Sequence, residues 1–423
     1  MKIAWLVYKP YKKRNKKNTF DSNYNIGALL INDILGKNYI IDYVTPESAF
    51  NTDILLVSFT STYDLLSYYK AVNKYKHFKN RKFKVIAGGF GLQNIYGIKD
   101  FIDVAVFGRA ENIINEVIKG NYNFNNIMVL PEIKDVEIGQ TKKLYPNEIK
   151  TKGYKLTWKE QFIGCPNKCK FCHYTWSRKC LYPEKTYYQG SLTKNNSVEI
   201  LWKDIKYIDK KQGHIRTAID GFSERLRYKY GKKITNDSII EGIEKIGSYD
   251  GKTIMLIYNI SNMPNETEED YQELITTIGK AKPKNRVIIV LQSTPFRPSP
   301  LTPMQWHSVK LFPNWNDLAG KVIIERKNLR FIHSFSNESC WSQLLTSIIE
   351  RATETSDHLI NTILYNRKLD RYRAEDKVKI LLDNFDLSHY IKKYNHDEKI
   401  PTWYLHSYTE KNNLINMAKR LGN

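Results

Sequence analysis

Apolar positions in this chain come in short runs separated by helix-length stretches, and the rhythm changes along its length. Up to about residue 125, strand-sized runs recur at Ile3–Tyr8, Tyr39–Val44, Asp53–Ser58, Phe83–Ala87 and Val104–Val106, with helix-length segments such as Tyr24–Leu35 and Tyr63–Tyr75 between them. This βα alternation predicts a doubly wound parallel sheet. From 127 to 155 the chain is mixed and punctuated by Pro131, Pro146 and Gly153, the pattern of a linker. A second series of runs follows at 161–164, 198–202, 215–219, 253–260 and 286–292, with a helical pattern over Asp237–Ile246 and a capping-box start at Thr267–Asp270. Residues 336–423 read as helical, placed to close the second unit or to receive substrate. The expected organisation is α/β, with units at 1–126, 127–155, 156–335 and 336–423.

Composition supports a multi-domain chain: 423 residues exceed one core, and 41% of them are hydrophobic. The apolar runs are far shorter than the ~20 residues a membrane helix needs. Nothing resembles a secretory signal, since Lys9 soon breaks the first apolar run, so a reducing cytoplasm is expected and no membrane partner. The 66 basic side chains outweigh 44 acidic ones, a net charge of +22. Abundant Lys, Asn, Ile and Tyr match AT-rich coding, which inflates lysine whatever the function; it should raise Glu as well, so part of the excess is left over. A basic surface favours polyanions, nucleic acid among them. The cluster Lys9–Lys17 follows the first strand, at the sheet edge where open α/β folds bind ligands. It reads either as a solvated charge run or as a phosphate clamp.

Of five cysteines, Cys165, Cys169 and Cys172 fall within eight positions. Thiolates grouped in one loop converge readily on one soft metal centre. Three are one short of a closed iron–sulfur or zinc site, which leaves a position open for a substrate or cosubstrate. Zinc with His173 or Cys180 as fourth ligand is the alternative, while an odd cysteine count and scattered remaining thiols disfavour disulfides.

The spacing CxxxCxxC, with Phe171 just before the last cysteine, resembles the signature of radical S-adenosylmethionine (SAM) enzymes. The resemblance implies that Cys165, Cys169 and Cys172 hold three irons of a [4Fe–4S] cluster and that SAM chelates the fourth. One electron, from a reductase, flavodoxin or ferredoxin, then cleaves SAM to a 5′-deoxyadenosyl radical that takes hydrogen from substrate. The family implies a partial (β/α) barrel over 156–335, the cysteine loop leaving its first strand at the carboxyl end, with a helical C-terminal extension. Three further runs carry the resemblance. Ala218–Arg225 is similar to the strand-end segment in which an acid and a Ser-Glu pair, here Asp220, Ser223 and Glu224, approach SAM; Asn259–Asp270 resembles G-x-P-x-E-T-x-E-D, with Asn for the usual glycine. Pro295–Trp306 resembles a PF-x-P-x-x-x-T-P-x-Q-W run. A GGE motif after the cysteine loop is missing. Read without the family, Asp220 starts a charge-rich helix and Pro295–Trp306 is a proline-stiffened loop.

Ala87–Gly91 followed by Asp103–Glu111 resembles the cobalamin-binding-like domain that precedes many radical SAM barrels. The cobalt-ligating histidine of D-x-H-x-x-G is missing, since the first histidine is His77, so a vestigial or differently employed domain is the stronger reading. A lone glycine turn such as Gly88-Gly89-Phe90-Gly91 serves packing more often than binding. Cys340 reads as a small buried hydrophobe, and His173 and Cys180 as packing beside the cluster. The expectation is a radical SAM enzyme acting on a nucleobase or nucleic acid. Peptide or small-metabolite modification is the alternative, and a non-catalytic zinc or iron–sulfur nucleic-acid-binding module is the rival from another class.

Overall fold

The computed structural model describes residues 1–8, 26–151, 156–158, 160, 163–165, 167–181, 197–209, 211–312, 320–335, 339–366 and 369–422. The basic cluster Lys9–Lys17 and residues 161–162 of the strand expected at 161–164 lie outside them. Among the described residues no helix is long and apolar enough to cross a membrane.

Six strands form the first sheet: β1 (Ile3–Leu6), β2 (Ile41–Val44), β3 (Ile54–Ser58), β4 (Lys84–Gly88), β5 (Val104–Val106) and β6 (Ile127–Val129), in the order β2-β1-β3-β4-β5-β6. All pairs are parallel except β5 with β6. The order reverses between β1 and β3, which opens a ligand crevice at their carboxyl ends. Successive residues serve opposite faces. Ala4, Leu6, Leu55, Val57, Val85 and Ala87 enter one core, whereas Ile3, Trp5, Ile54, Leu56, Ile86 and Val104 enter another. Burial on both faces is why these strands read as continuous apolar runs. β6 lies beyond residue 126 yet completes the sheet, so this unit extends into the stretch read as linker.

The rest of that stretch is also paired. β7 (Val136–Glu137) runs parallel to β16 (Leu405–His406), and β8 (Ile149–Thr151) pairs antiparallel with β9 (Leu156–Trp158).

The second sheet comprises β10 (Ser197–Glu199), β11 (His214–Ala218), β12 (Thr253–Ser261), β13 (Val287–Pro295), β14 (Val322–Arg326) and β15 (Leu329–Phe335), ordered β10-β11-β12-β13-β15-β14. It is parallel apart from the edge pair β14–β15. Along β12 and β13 buried and half-buried residues alternate. Met255, Ile257, Ile289 and Leu291 face a core shared with Ile239 and Ile243 of the helix Asn236–Ile246 and Tyr271 and Leu274 of the helix Glu268–Lys280. The other face stays half open. Thr267 and Asp270 form the expected capping box. Of the described residues at the expected first strand, Ile163 forms an isolated antiparallel bridge with Leu181.

The helices after residue 338 do not simply close the second sheet. Leu344, Leu345, Ile348, Ile349, Leu359, Ile360 and Val378 join Leu65, Tyr68, Tyr69 and Val72 of the first unit in one core. Hydrogen bonds fix this seam: Tyr69 Oη donates to Asn361 Oδ1 at 2.6 Å, Asn94 Nδ2 to the carbonyl of Ile349 at 2.9 Å, and the Ile95 amide to Tyr404 Oη at 2.7 Å. The same helices also reach the second sheet, where Gln343 Nε2 donates to the Phe296 carbonyl; an apolar helix face declares that it will be buried but not by which partner.

Candidate functional site

The cysteine loop lies along the carboxyl ends of the second sheet. The Lys170 amide donates to the carbonyl of Tyr230 at 2.8 Å, and Gly231 passes so close to the loop that a Cβ there would lie 3.1 Å from the Lys168 carbonyl oxygen. Its φ of +86° is a conformation that glycine adopts freely. Lys168 is itself left-handed at φ 52°. The loop ends in the short helix His173–Ser177, which is tied back by Thr175 Oγ1 to the carbonyl of Cys165 and by Trp176 Nε1 to that of Cys169, both at 2.7 Å.

The three thiols share one environment. Burial pushes Cys169 up to about 12, eased by the Lys232 ammonium and reinforced by Asp220, Cys172 and Cys165. Burial also raises Cys172, despite hydrogen bonds from the backbone of Thr175 and Tyr174, and Cys165 and Asp220 add to it. Burial thus favours the neutral thiol at both positions, and a bound thiophilic cation would be needed to deprotonate them. In donor chemistry the set fits a thiophilic centre. Among the described residues, however, no three or more His, Cys, Asp or Glu side chains stand as a group placed to hold a metal ion.

The nearby histidine and cysteines sort differently. His173 is buried, its Nδ1 is 2.7 Å from the carbonyl oxygen of Pro300, and burial pulls it down to about 4. Its contacts are those of packing. Cys180 is raised by partial burial and by the neighbouring Cys165, so it borders the nest. Cys340 is 3% exposed inside the core shared with the first unit.

Asp220 sits just past β11 with φ 49° and forms an ion pair with the buried Lys232 at 2.6 Å. Ser223 and Glu224, expected at SAM, are both engaged in structure. Ser223 is fully buried as N-cap of the helix Glu224–Lys229, accepting from the Leu226 amide at 3.2 Å while its hydroxyl donates to Asp270. Glu224 Oε2 accepts from the Asn236 amide at 2.6 Å, capping the next helix. The charge-rich helix start is thus what the structure builds here. Ser223→Ala is expected to destabilise the fold by about 1–3 kcal/mol, through the lost cap and the Asp270 oxygen left short of a donor. Thermal unfolding beside a Ser223→Thr control checks this, and an unchanged midpoint would remove the hydroxyl from the fold's support.

Phe171 does reach a cavity. It borders a space of about 350 Å³ with Ile260, Pro295, Phe296, Arg297 and Gln343, at the carboxyl ends of β12 and β13. The side-chain oxygen of Gln343 is buried there without a hydrogen-bond partner among the described residues, so a ligand donor would satisfy it. The Pro295–Trp306 run wraps the site: Trp306 is wholly buried with Trp176 of the cysteine-loop helix and Leu414. Gln343 and Lys232 escaped sequence reading because neither belongs to a motif.

A larger cavity, about 620 Å³, opens at the carboxyl edge of the first sheet, lined among others by Trp5, Leu56, Gly88, Phe90, Arg109 and Arg178. The Arg178 guanidinium lies 5.1 Å from the Phe90 ring centroid and 4.8 Å from that of Tyr174. No histidine is among the lining residues. The glycine turn serves close packing, since a Cβ on Gly89 would lie 2.3 Å from the Phe59 carbonyl oxygen. Arg109 binds Glu160 through its two terminal nitrogens, Nη1 and Nη2, at 2.6 and 3.0 Å, and pairs with Glu111, tying this sheet to the chain entering the cysteine loop.

No family model matches the chain. An uncharacterized protein of Methanocaldococcus jannaschii is 21% identical, over 77% of this chain and 86% of that one. Among solved structures, OxsB, described as a cobalamin-dependent S-adenosylmethionine radical enzyme, aligns in its form with aqua-cobalamin and S-adenosylmethionine at a TM-score of 0.40 and 10% identity, covering 100% of this chain and 79% of that one. Its apo form aligns at 0.31 and 11%, covering 87% of this chain, which spans 55% of the OxsB chain there.

Proposed function

We propose that the chain is a radical SAM enzyme. The observation that carries this reading is the placing of the CxxxCxxC loop beside a ligand-sized cavity at the carboxyl ends of one parallel sheet, with Phe171 of the loop in the cavity wall. Cys165, Cys169 and Cys172 would hold a [4Fe–4S] cluster, with Asp220 and Lys232 flanking it. Phe171 walls the cavity assigned to the adenosyl part of SAM, where Gln343 offers its side-chain oxygen to the adenine amine, while Arg297 is paired with the buried Glu350 at 3.4 Å. The cluster, supplied with an electron by a reductase, flavodoxin or ferredoxin, provides the reductive cleavage of SAM; the protein binds, orients and excludes water. The reading is tested by anaerobic reconstitution. Iron with sulfide and formation of 5′-deoxyadenosine are expected, whereas metal without sulfide would leave the zinc module.

Cobalamin is the second reading. The 620 Å³ cavity, with the apolar Trp5 and Leu56 and the cation Arg178 in its wall, favours it, and the lack of a histidine in that lining weighs against axial ligation by the protein.

For substrate, the net charge of +22 favours a nucleobase within nucleic acid. Affinity for RNA or DNA should then fall at least about tenfold from low to physiological salt, as counterions are released. Undetectable binding at low salt would move the peptide or small-metabolite alternative ahead.

A further inference from the structure

The Asp220–Lys232 pair has no part yet in the reading above beyond flanking the thiols. Lys232 is 9% exposed, and its ammonium meets Asp220 at 2.6 Å. Burying a charge is costly even in a pair, and such a pair is a weak source of stability. Nor does the turn need the ammonium. The Lys232 amide already donates to the Arg227 carbonyl at 2.7 Å, and its carbonyl accepts from Ile234 at 2.8 Å. The same stretch, Tyr230 to Lys232, is the one laid against the cysteine loop through the Lys170 amide and the close approach of Gly231. Electrostatically Lys232 couples to Cys169 and Cys165 as well as to Asp220.

We propose that Lys232 and Asp220 form a built-in charge element that sets the reduction potential of the cluster held by Cys165, Cys169 and Cys172, the cation raising the potential and the carboxylate restraining it. This rests on the radical SAM reading. A cluster bound by thiolates becomes more negative by one unit on reduction, so a buried cation beside it stabilises the reduced form, and net charge and solvent exposure are known determinants of such potentials. Left-handed Asp220 suits the arrangement, because asparagine tolerates the same backbone and the charge can be removed without straining it.

The test uses the full chain, reconstituted anaerobically without SAM, with iron and sulfide assayed and the midpoint read by EPR-monitored redox titration. Lys232→Met should lower the midpoint by about 59 mV or more, the equivalent of tenfold in a one-electron equilibrium. Asp220→Asn should raise it, and Lys232→Arg should stay near the parental value. Opposite signs are the telling readout, since a variant that merely admits water shifts the potential one way whichever residue is changed. Parental iron and sulfide with an unmoved midpoint in Asp220→Asn, or shifts of the same sign in both charge-removing variants, would overturn the proposal. Should Lys232→Met fail to load, Asp220→Asn and Lys232→Arg still decide it. A parental chain that takes up no sulfide would instead fell the cluster reading, and the charge element with it.

Discussion

Alanine at any one of Cys165, Cys169 or Cys172 is expected to abolish both the iron–sulfur absorbance and reductive cleavage of SAM, a loss of several orders of magnitude in deoxyadenosine formation. A three-thiolate set has no spare ligand, and metal binding to a set missing one thiolate is cut steeply. The neighbourhood sharpens the contrast. Cys180 borders Cys165 but is only partly buried, and Cys340 lies in the core shared by the first sheet and the C-terminal helices. Their alanine variants should keep iron, sulfide and SAM cleavage, with Cys340→Ala costing only packing, about 1 kcal/mol. Iron and sulfide assays with visible spectra of all five variants check this. Full loading of Cys169→Ala would sink the cluster, and loss of metal in Cys180→Ala would bring back the four-cysteine zinc site.

The first sheet was legible because parallel strands buried on both faces print as unbroken apolar runs, as at Ile54–Ser58. The second was legible through short apolar runs and caps: Thr253–Ser261 and the Thr267 capping box lie close to where pattern placed them. The C-terminal helices were legible as helices, but their docking on Tyr68 and Tyr69 depends on complementary faces hundreds of residues apart, which no local pattern carries. The site divides in the same way. The cysteine spacing is local and stands in the sequence itself, as does Phe171 beside it. Ser223 and Glu224 were read as ligand contacts because their order matched a motif, whereas their partners Asp270 and Asn236 come from other elements and occupy them in caps. Lys232 became visible only when the fold laid residues 230–232 along the loop.

Arg227→Met is expected to be the most destabilising of the single substitutions considered outside the cysteines. Arg227 is fully buried, and its guanidinium is spent on neutral acceptors: Nε donates to the Ile234 carbonyl at 2.8 Å, Nη1 to those of Gly221 and Phe222 at 3.2 and 2.9 Å, and Nη2 to Asn236 Oδ1. Burial pulls its pKa down to about 10, with Glu273 and Glu224 opposing. Methionine fills similar space but donates nothing, so several buried oxygens lose their partners at about 1–3 kcal/mol each, and a drop of about 3 kcal/mol or more follows. Lysine is no substitute, because a point charge cannot span the fork that reaches four acceptors. Arg227→Lys should therefore recover less than half of the loss. The same fork clamps the Gly221 carbonyl while Asn259 Oδ1 accepts from the Gly221 amide at 2.7 Å, so the two side chains together fix the turn that presents Asp220 to Lys232. Denaturant unfolding gives the measurement. A midpoint in Arg227→Met equal to the parental one would show that the buried fork holds nothing, and the turn beside the thiols would need another support.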